Sequence, residues 1–254
     1  MKSDIALVIV SYDKSSFLWN TIFESLSKYW PDCPYDKYLI VNFSHQKFDN
    51  VVTINVGEDK GWSSNLIIAL NQIKNRYCLI LIDDLFFISK VNQKKIDEII
   101  EEAKTLKFNC LKLNPISENY PTKIINKKSE KISKIPKNTP YRVSTVLTLW
   151  KKEILFNILK EGETAWDFEV QGSKRSNDID NFLSCRDNSF NITNLLLRGK
   201  IRQISENKMN KAGIFLQKHN RKYMSMIDIT FWFLKERLSR IFYLLPISFQ
   251  NFIK

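Results

Sequence analysis

The chain has 254 residues, 44% of them apolar, and a formal net charge of +12. That length suits one domain or a domain with a small appendage, and the apolar share excludes disorder over most of it. The charge is uneven, because residues 200–254 hold 11 Lys/Arg against 3 Asp/Glu, a net of +8. A positive surface attracts phosphate, whether on nucleic acid, anionic lipid or a nucleotide sugar. The four cysteines are widely spaced and form no CxxC pair, so neither a disulfide framework nor a zinc site is expected. Cys78 and Cys110 lie in apolar runs and read as buried thiols. The opening MKSDIALVIVSYD lacks the apolar region of a signal peptide, and no apolar run reaches the length of a membrane span. The expectation is a cytoplasmic protein.

In chain order, Ile5–Val10 is a β-branched run and reads as a buried strand. Residues 15–29 carry Phe17, Leu18, Ile22, Leu26 and Tyr29 at helical spacing, and Trp30-Pro31 ends that helix. Residues 38–41 and 51–56 read as strands. Residues 61–74 read as a helix with Leu66, Ile67, Leu70 and Ile73 on one face. Tyr77–Ile82 is a further buried strand that runs into Asp83-Asp84. A charged amphipathic helix over 91–106 and a strand over 108–113 follow. Strands alternating with helices predict βαβ units, a mostly parallel sheet and helices on both faces.

Residues 114–140 are polar and Lys/Pro-rich, and read as a long loop, a lid or a short hairpin. A strand over 143–149 and a helix from Lys151 come next, then TAWDFEVQGSKRSND, and Leu195–Leu197 as a last strand before the turn Arg198-Gly199-Lys200. Apolar residues at 227, 231, 234, 238, 241 and 245 predict an amphipathic helix interleaved with Lys235, Arg237 and Arg240. The chain divides on this reading into a catalytic domain over 1–222, with halves 1–113 and 114–222, and a basic tail over 223–254.

In parallel sheets ligands bind beyond the carboxyl ends of the strands. Ser11-Tyr12-Asp13 and Asp83-Asp84 both lie at such ends. Two adjacent carboxylates can hold a divalent cation, Mn or Mg, that also takes diphosphate oxygens. An N-cap or a solvated turn is the plainer account of the pair. In the later segment, Thr164 or Asp167 can cap a helix, while Asp167 and Glu169 can supply a base beside Trp166 and Phe168. Lys174 and Arg175 can reach a diphosphate or simply face solvent. His219, in a basic stretch, is a candidate third metal ligand, although a lone histidine is more often structural. No GxGxxG or GxxxxGK[ST] is present, which weighs against dinucleotide and P-loop sites.

The segments SYDKSSFLWNTIFESLSKYWPDCPYDKYLIVN, GWSSNLIIALNQI, YCLILIDDLFF, LWKKEIL and AWDFEVQGSKRS occur in an order that resembles bacterial GT-A glycosyltransferases of capsule, O-antigen and lipooligosaccharide loci. The resemblance covers about residues 4 to 200. It implies a GT-A, Rossmann-like α/β fold with a nucleotide half and an acceptor half. It also implies that Ser11, Tyr12 and Asp13 hold the nucleobase, and that Asp83 and Asp84 hold a metal and the ribose or diphosphate. Trp166, Asp167 and Glu169 map near the acceptor, with Glu169 as the base. Lys60, Trp62 and Ser63 would line the nucleotide site together with Arg175. One departure is plain: Leu85 stands where the usual Asp-any-Asp pattern has its last acid.

The function expected is transfer of a sugar from a nucleoside-diphosphate sugar, a UDP-sugar, to a hydroxyl of a cell-surface glycan or lipid-linked oligosaccharide. The tail would meet the anionic inner membrane surface, making the enzyme peripheral there, and no nucleic-acid partner is expected. The alternative is a non-catalytic basic protein for nucleic acid or anionic surfaces. A nucleotidyltransferase on a similar fold is a third reading, but it requires a glycine-rich basic loop after the first strand, and SYDKSS is a poor one.

Overall fold

The computed structural model describes residues 3–114, 123–126, 129–232, 234 and 237, with the backbone alone for 123–126 and 129–130. Strands β1 (Ile5–Val10), β2 (Asp36–Val41), β3 (Val51–Asn55) and β4 (Tyr77–Ile82) form one half of a nine-stranded sheet. The other half contains β6 (Cys110–Lys112), β7 (Lys123–Asn126), β8 (Ser129–Lys134), β9 (Thr148–Lys151) and β10 (Phe182–Cys185). The order is β3-β2-β1-β4-β9-β6-β10-β8-β7. The pairs β1–β2, β1–β4, β2–β3 and β6–β10 are parallel, whereas β9 runs antiparallel between β4 and β6. In its half β3-β2-β1-β4 the sheet is the parallel, helix-flanked one that the alternating sequence predicts, while β8 pairs antiparallel with both β10 and β7, and both halves of the chain contribute to it.

Strand β1 shows why the sheet is covered on both faces. Ile5, Leu7 and Ile9 pack in one core with Leu18, Trp19, Ile22 and Leu26 of helix α1 (Ser16–Tyr29). Ala6, Val8 and Val10 pack in a second core with Leu66, Ala69 and Leu70 of helix α2 (Trp62–Leu70). A strand buried on both sides reads as an unbroken apolar run, because its period-2 alternation serves two apolar layers. Helix α3 (Gln93–Thr105) buries Ile96, Ile99, Ile100 and Ala103 on the α1 side and starts at Asn92, whose side chain accepts from the Lys95 N–H. Helix α4 (Lys152–Ile158) joins the α2 side through Leu155 and Ile158.

The second half of the chain departs from its sequence reading in three places. The strand expected over 143–149 begins only at Thr148, because Leu147 has φ 43° and Tyr141 φ 51°. A left-handed residue breaks the extended run, and 143–146 becomes a loop. Strand β10, Phe182–Cys185, was not anticipated, and neither was the small pair of β5 (Leu85–Phe87) with β11 (Ile192–Asn194). Strand β12 (Leu196–Leu197) turns back through Arg198 and Gly199, both at positive φ, into β13 (Lys200–Ile201), a further strand beyond the one expected. The Lys/Pro-rich stretch supplies the β7–β8 hairpin at the sheet edge, while residues 115–122 and 127–128 lie outside the described residues.

The helix Gln203–Lys211 follows, and residues 226–232 are helical again, as are 234 and 237. Tail positions 238, 241 and 245 lie outside the described residues. Among the described residues no helix is long and apolar enough to cross a membrane.

Candidate active site

Strands β1 and β4 are parallel neighbours in the register Val10↔Ile82, so Ser11 and Asp83 leave the sheet side by side. Ser11 Oγ donates to Asp83 Oδ2 at 2.7 Å, and Trp19 Nε1 donates to Ser11 Oγ at 2.7 Å. A residue of α1 thereby fixes the strand-end acid through a buried hydroxyl. The Asp84 backbone carbonyl accepts from the Leu195 N–H at 2.8 Å, and Asp84 Oδ2 accepts from the Leu196 N–H at 3.3 Å. The β5–β11 pairing therefore holds the second acid.

Both carboxyls are harder to ionise than usual. Burial pushes Asp84 up to about 7, and the neighbouring charge of Asp83 adds to the rise. Burial likewise pushes Asp83 up to about 6, opposed by hydrogen bonds from Ser11 and Ser15. Among the described residues neither carboxylate has a salt-bridge partner, and no group of three His, Cys, Asp or Glu side chains is placed to hold a metal.

These acids open into a cavity of about 470 Å³. Of the residues singled out in the sequence, it gathers Ser11, Tyr12, Trp62, Asp83, Asp84, Trp166 and Glu169. Glu169 sits in a π-turn, Phe168–Gly172, a rare conformation that recurs at functional sites. Its Oε1 accepts from the Thr145 N–H at 2.8 Å, from Thr145 Oγ1 at 3.1 Å and from Ser144 Oγ at 3.1 Å. The loop that replaced the expected strand is thus the cradle of this carboxylate. Phe168 is buried between Trp62 and Trp150, with ring centroids 5.2 and 6.2 Å away, and anchors the π-turn. Trp166 is 62% exposed at the cavity wall.

The other sequence candidates lie outside the cavity wall, and most have other tasks. Asp13 accepts from the N–H groups of Asn42 at 2.9 Å and Phe43 at 3.0 Å, which ties the loop after β1 to the end of β2. Lys60 is exposed, and its backbone N–H donates to Asn65 Oδ1 at 3.2 Å. Ser63 is buried and accepts from the Glu163 N–H at 2.9 Å. Asp167 completes a capping box with Thr164, the structural alternative noted for it. Arg175 forms a bidentate pair with Glu163 at 2.7 and 2.6 Å. His219 stands near Phe17, ring centroids 5.5 Å apart, and its Nδ1 accepts from the Arg221 N–H. It does not line the cavity.

The cavity also recruits residues that the sequence reading missed, including Asp59, Asn65, Thr145, Asn194 and Arg198. Asp59 Oδ1 accepts from the Gly61 N–H at 3.0 Å and from Asn65 Nδ2 at 2.8 Å, which shapes the entry to α2. Gly61 there has φ 91°, a conformation open to glycine. The spacing Asp-x-Gly…Asn was the one available signal for this group. A second hollow of about 340 Å³ adjoins the first, sharing Leu197 and Arg198 and lying against Ile227, Phe231 and Trp232 of the tail.

No family model and no curated protein matches the chain. Solved structures do. S. aureus TarS 1–349 in complex with UDP-GlcNAc superposes with a TM-score of 0.52 at 14% identity, over 75% of this chain and 57% of that one. The same fragment in complex with UDP gives 0.51 at 13% identity, over 75% and 59%. UTP-bound UGPase from Acinetobacter baumannii gives 0.51 at 9% identity, over 84% and 92%. The chain thus spans a little over half of the TarS fragment. Its fold is the GT-A-like, Rossmann-like α/β fold that these structures share.

Proposed function

We propose that this chain is a glycosyltransferase that moves a sugar from a UDP-sugar to an acceptor hydroxyl. One observation carries the reading: the strand-end acids Asp83 and Asp84 share a cavity with Glu169, a carboxylate held by three donors on a separate element. Glu169 takes the proton of the acceptor hydroxyl as its oxygen bonds to the anomeric carbon. The bond from that carbon to the diphosphate oxygen breaks, UDP leaves, and configuration inverts. Tyr12 and Ser11 face the nucleotide, and Trp166 offers a ring for the acceptor to stack on.

The donor chemistry of the acidic pair fits a hard divalent cation such as Mn or Mg: two adjacent carboxylates, buried and, among the described residues, in no salt bridge. Asp83 and Asp84 would hold it. When bound, such an ion supplies charge neutralisation for the departing diphosphate. Isothermal titration with UDP, with and without manganese, on wild type and Asp84→Ala tests this. Undiminished binding in the variant removes the role assigned to Asp84.

The acceptor we propose is a cell-surface glycan or a lipid-linked oligosaccharide, of capsule, O-antigen or lipooligosaccharide type, met at the inner membrane face. Met226 and Ile227 are 76% and 81% exposed on the tail helix, and residues 200–254 together carry a net charge of +8, most of it just before that helix. Apolar side chains among basic ones suit a headgroup layer. Flotation with anionic liposomes, set against a DNA shift assay, separates this from the basic nucleic-acid binder. Binding to DNA alone sinks it. The likeness to UGPase keeps a nucleotidyltransferase in view. Against it, the loop between β1 and α1 contains no glycine, and Asp13 spends its carboxylate on backbone.

A further inference from the structure

Hydrogen bonds satisfy most polar atoms around the cavity from within the protein. Asp83 Oδ2, Glu169 Oε1, Asp59 Oδ1 and Asn65 all have protein partners. Two buried atoms of its lining residues do not: Trp62 Nε1 and Asn194 Oδ1. An unpaired buried donor or acceptor is costly, and folded proteins keep few of them without a use.

Both groups are held in place. The Trp62 ring packs on Phe168, with centroids 5.2 Å apart, and its residue begins α2 directly after Gly61. Asn194 ends β11, and the next two residues donate their N–H groups to Asp84. Asn194 therefore stands next in the chain to the segment that grips the acid assigned to the diphosphate end of the donor. One group offers a proton and the other a lone pair. A sugar hydroxyl can meet either need.

We propose that Trp62 Nε1 and Asn194 Oδ1 read hydroxyls on the sugar of the donor, so that the cavity selects a hydroxyl-bearing UDP-sugar over UDP itself. This rests on the reading of the cavity as a UDP-sugar site. A site built to hydrogen-bond a hydroxyl discriminates strongly, because its own buried groups go unpaired when the hydroxyl is missing.

The test is isothermal titration of the full chain with UDP, UDP-glucose, UDP-galactose and UDP-GlcNAc, on wild type, Asn194→Ala and Trp62→Phe. In wild type at least one UDP-sugar binds more tightly than UDP. Each variant reduces that advantage about tenfold, the effect of one lost hydrogen bond. For Asn194→Ala, UDP affinity stays within about twofold and the melting temperature does not fall, because Oδ1 had no protein partner. Trp62→Phe keeps an aromatic ring beside Phe168 but removes the five-membered ring together with the N–H, so its UDP affinity and melting temperature are measured beside the sugar advantage to separate lost packing from the lost contact. The proposal is overturned if UDP and UDP-sugar weaken in parallel, if the advantage survives both substitutions, or if no sugar in the panel exceeds UDP. Absence of UDP binding altogether sinks the transferase reading instead.

Discussion

Asp84→Asn should stabilise the free protein at neutral pH while weakening its cation-dependent nucleotide binding. The native carboxyl keeps its proton up to about 7, whereas the unfolded chain releases it near the ordinary 3.8. Between those values the native state holds more protons, so the unfavourable contribution grows as pH rises through the window and is complete above it. At 1.36 kcal/mol for each pH unit of separation, the penalty on the ionised form comes to about 4 kcal/mol above pH 7 and less than about 1 kcal/mol near pH 4. An Asn side chain still accepts from the Leu196 N–H and carries no charge. At roughly 2–4 °C per kcal/mol for a chain of this size, the variant should melt on the order of 10 °C higher at pH 8. The assay is thermal unfolding of wild type and variant from pH 4 to pH 8, each with and without manganese and UDP. The ligands should narrow the gap at pH 8, since they stabilise the wild type more. A variant that melts no higher than wild type at pH 8, or a gap independent of pH, would refute the argument that burial strains this acid.

Three further outcomes follow from the site. Glu169→Gln should lower kcat by about 10²–10⁴-fold with UDP affinity unchanged, as measured by donor turnover beside titration; an active variant would exclude Glu169 as the base. Arg221 Nη2 donates to the Tyr12 hydroxyl at 3.1 Å and to the Lys14 carbonyl at 3.3 Å. Arg221→Ala should therefore loosen the loop after β1 and weaken UDP binding roughly tenfold, which titration measures. Thr164→Ala should cost about 1 kcal/mol in urea unfolding through loss of the capping box, and Asp167→Ala should leave kcat unchanged. A large kcat loss in Asp167→Ala would return that residue to the chemistry.

Apart from the three-residue strand β5, the first 113 residues were legible because long, periodic elements fix their own type. Strand Tyr77–Ile82 matches its sequence reading at both ends, and α1 begins one residue later than read. The second half depends on features with little sequence signal. Nothing in Val143 to Val146 marks a loop, and the left-handed backbone at Tyr141 and Leu147 on either side of it has no sequence signal. Strands β10 and β11 have four and three residues, too short for a period to show. The same contrast runs through the site. Asp83, Asp84 and Glu169 carry charge at strand ends or beside aromatics, a visible pattern. Arg175 shows the limit, because its charge looked available until Glu163 claimed it. Asn194 was invisible, since a neutral amide on a three-residue strand carries no pattern at all.

The turn Arg198-Gly199 has a consequence of a different kind. Leu197 and Arg198 form part of the wall between the strand-end cavity and the hollow beneath the tail helix. If an occupant shifts that shared partition in one direction, the room left on the other side changes. Thermodynamic linkage then requires reciprocity: if filling the tail-side hollow tightens or loosens the donor, the donor must alter the affinity of that hollow by the same factor. The short hairpin Leu196–Ile201 is in that sense a gauge between the tail and the sugar nucleotide.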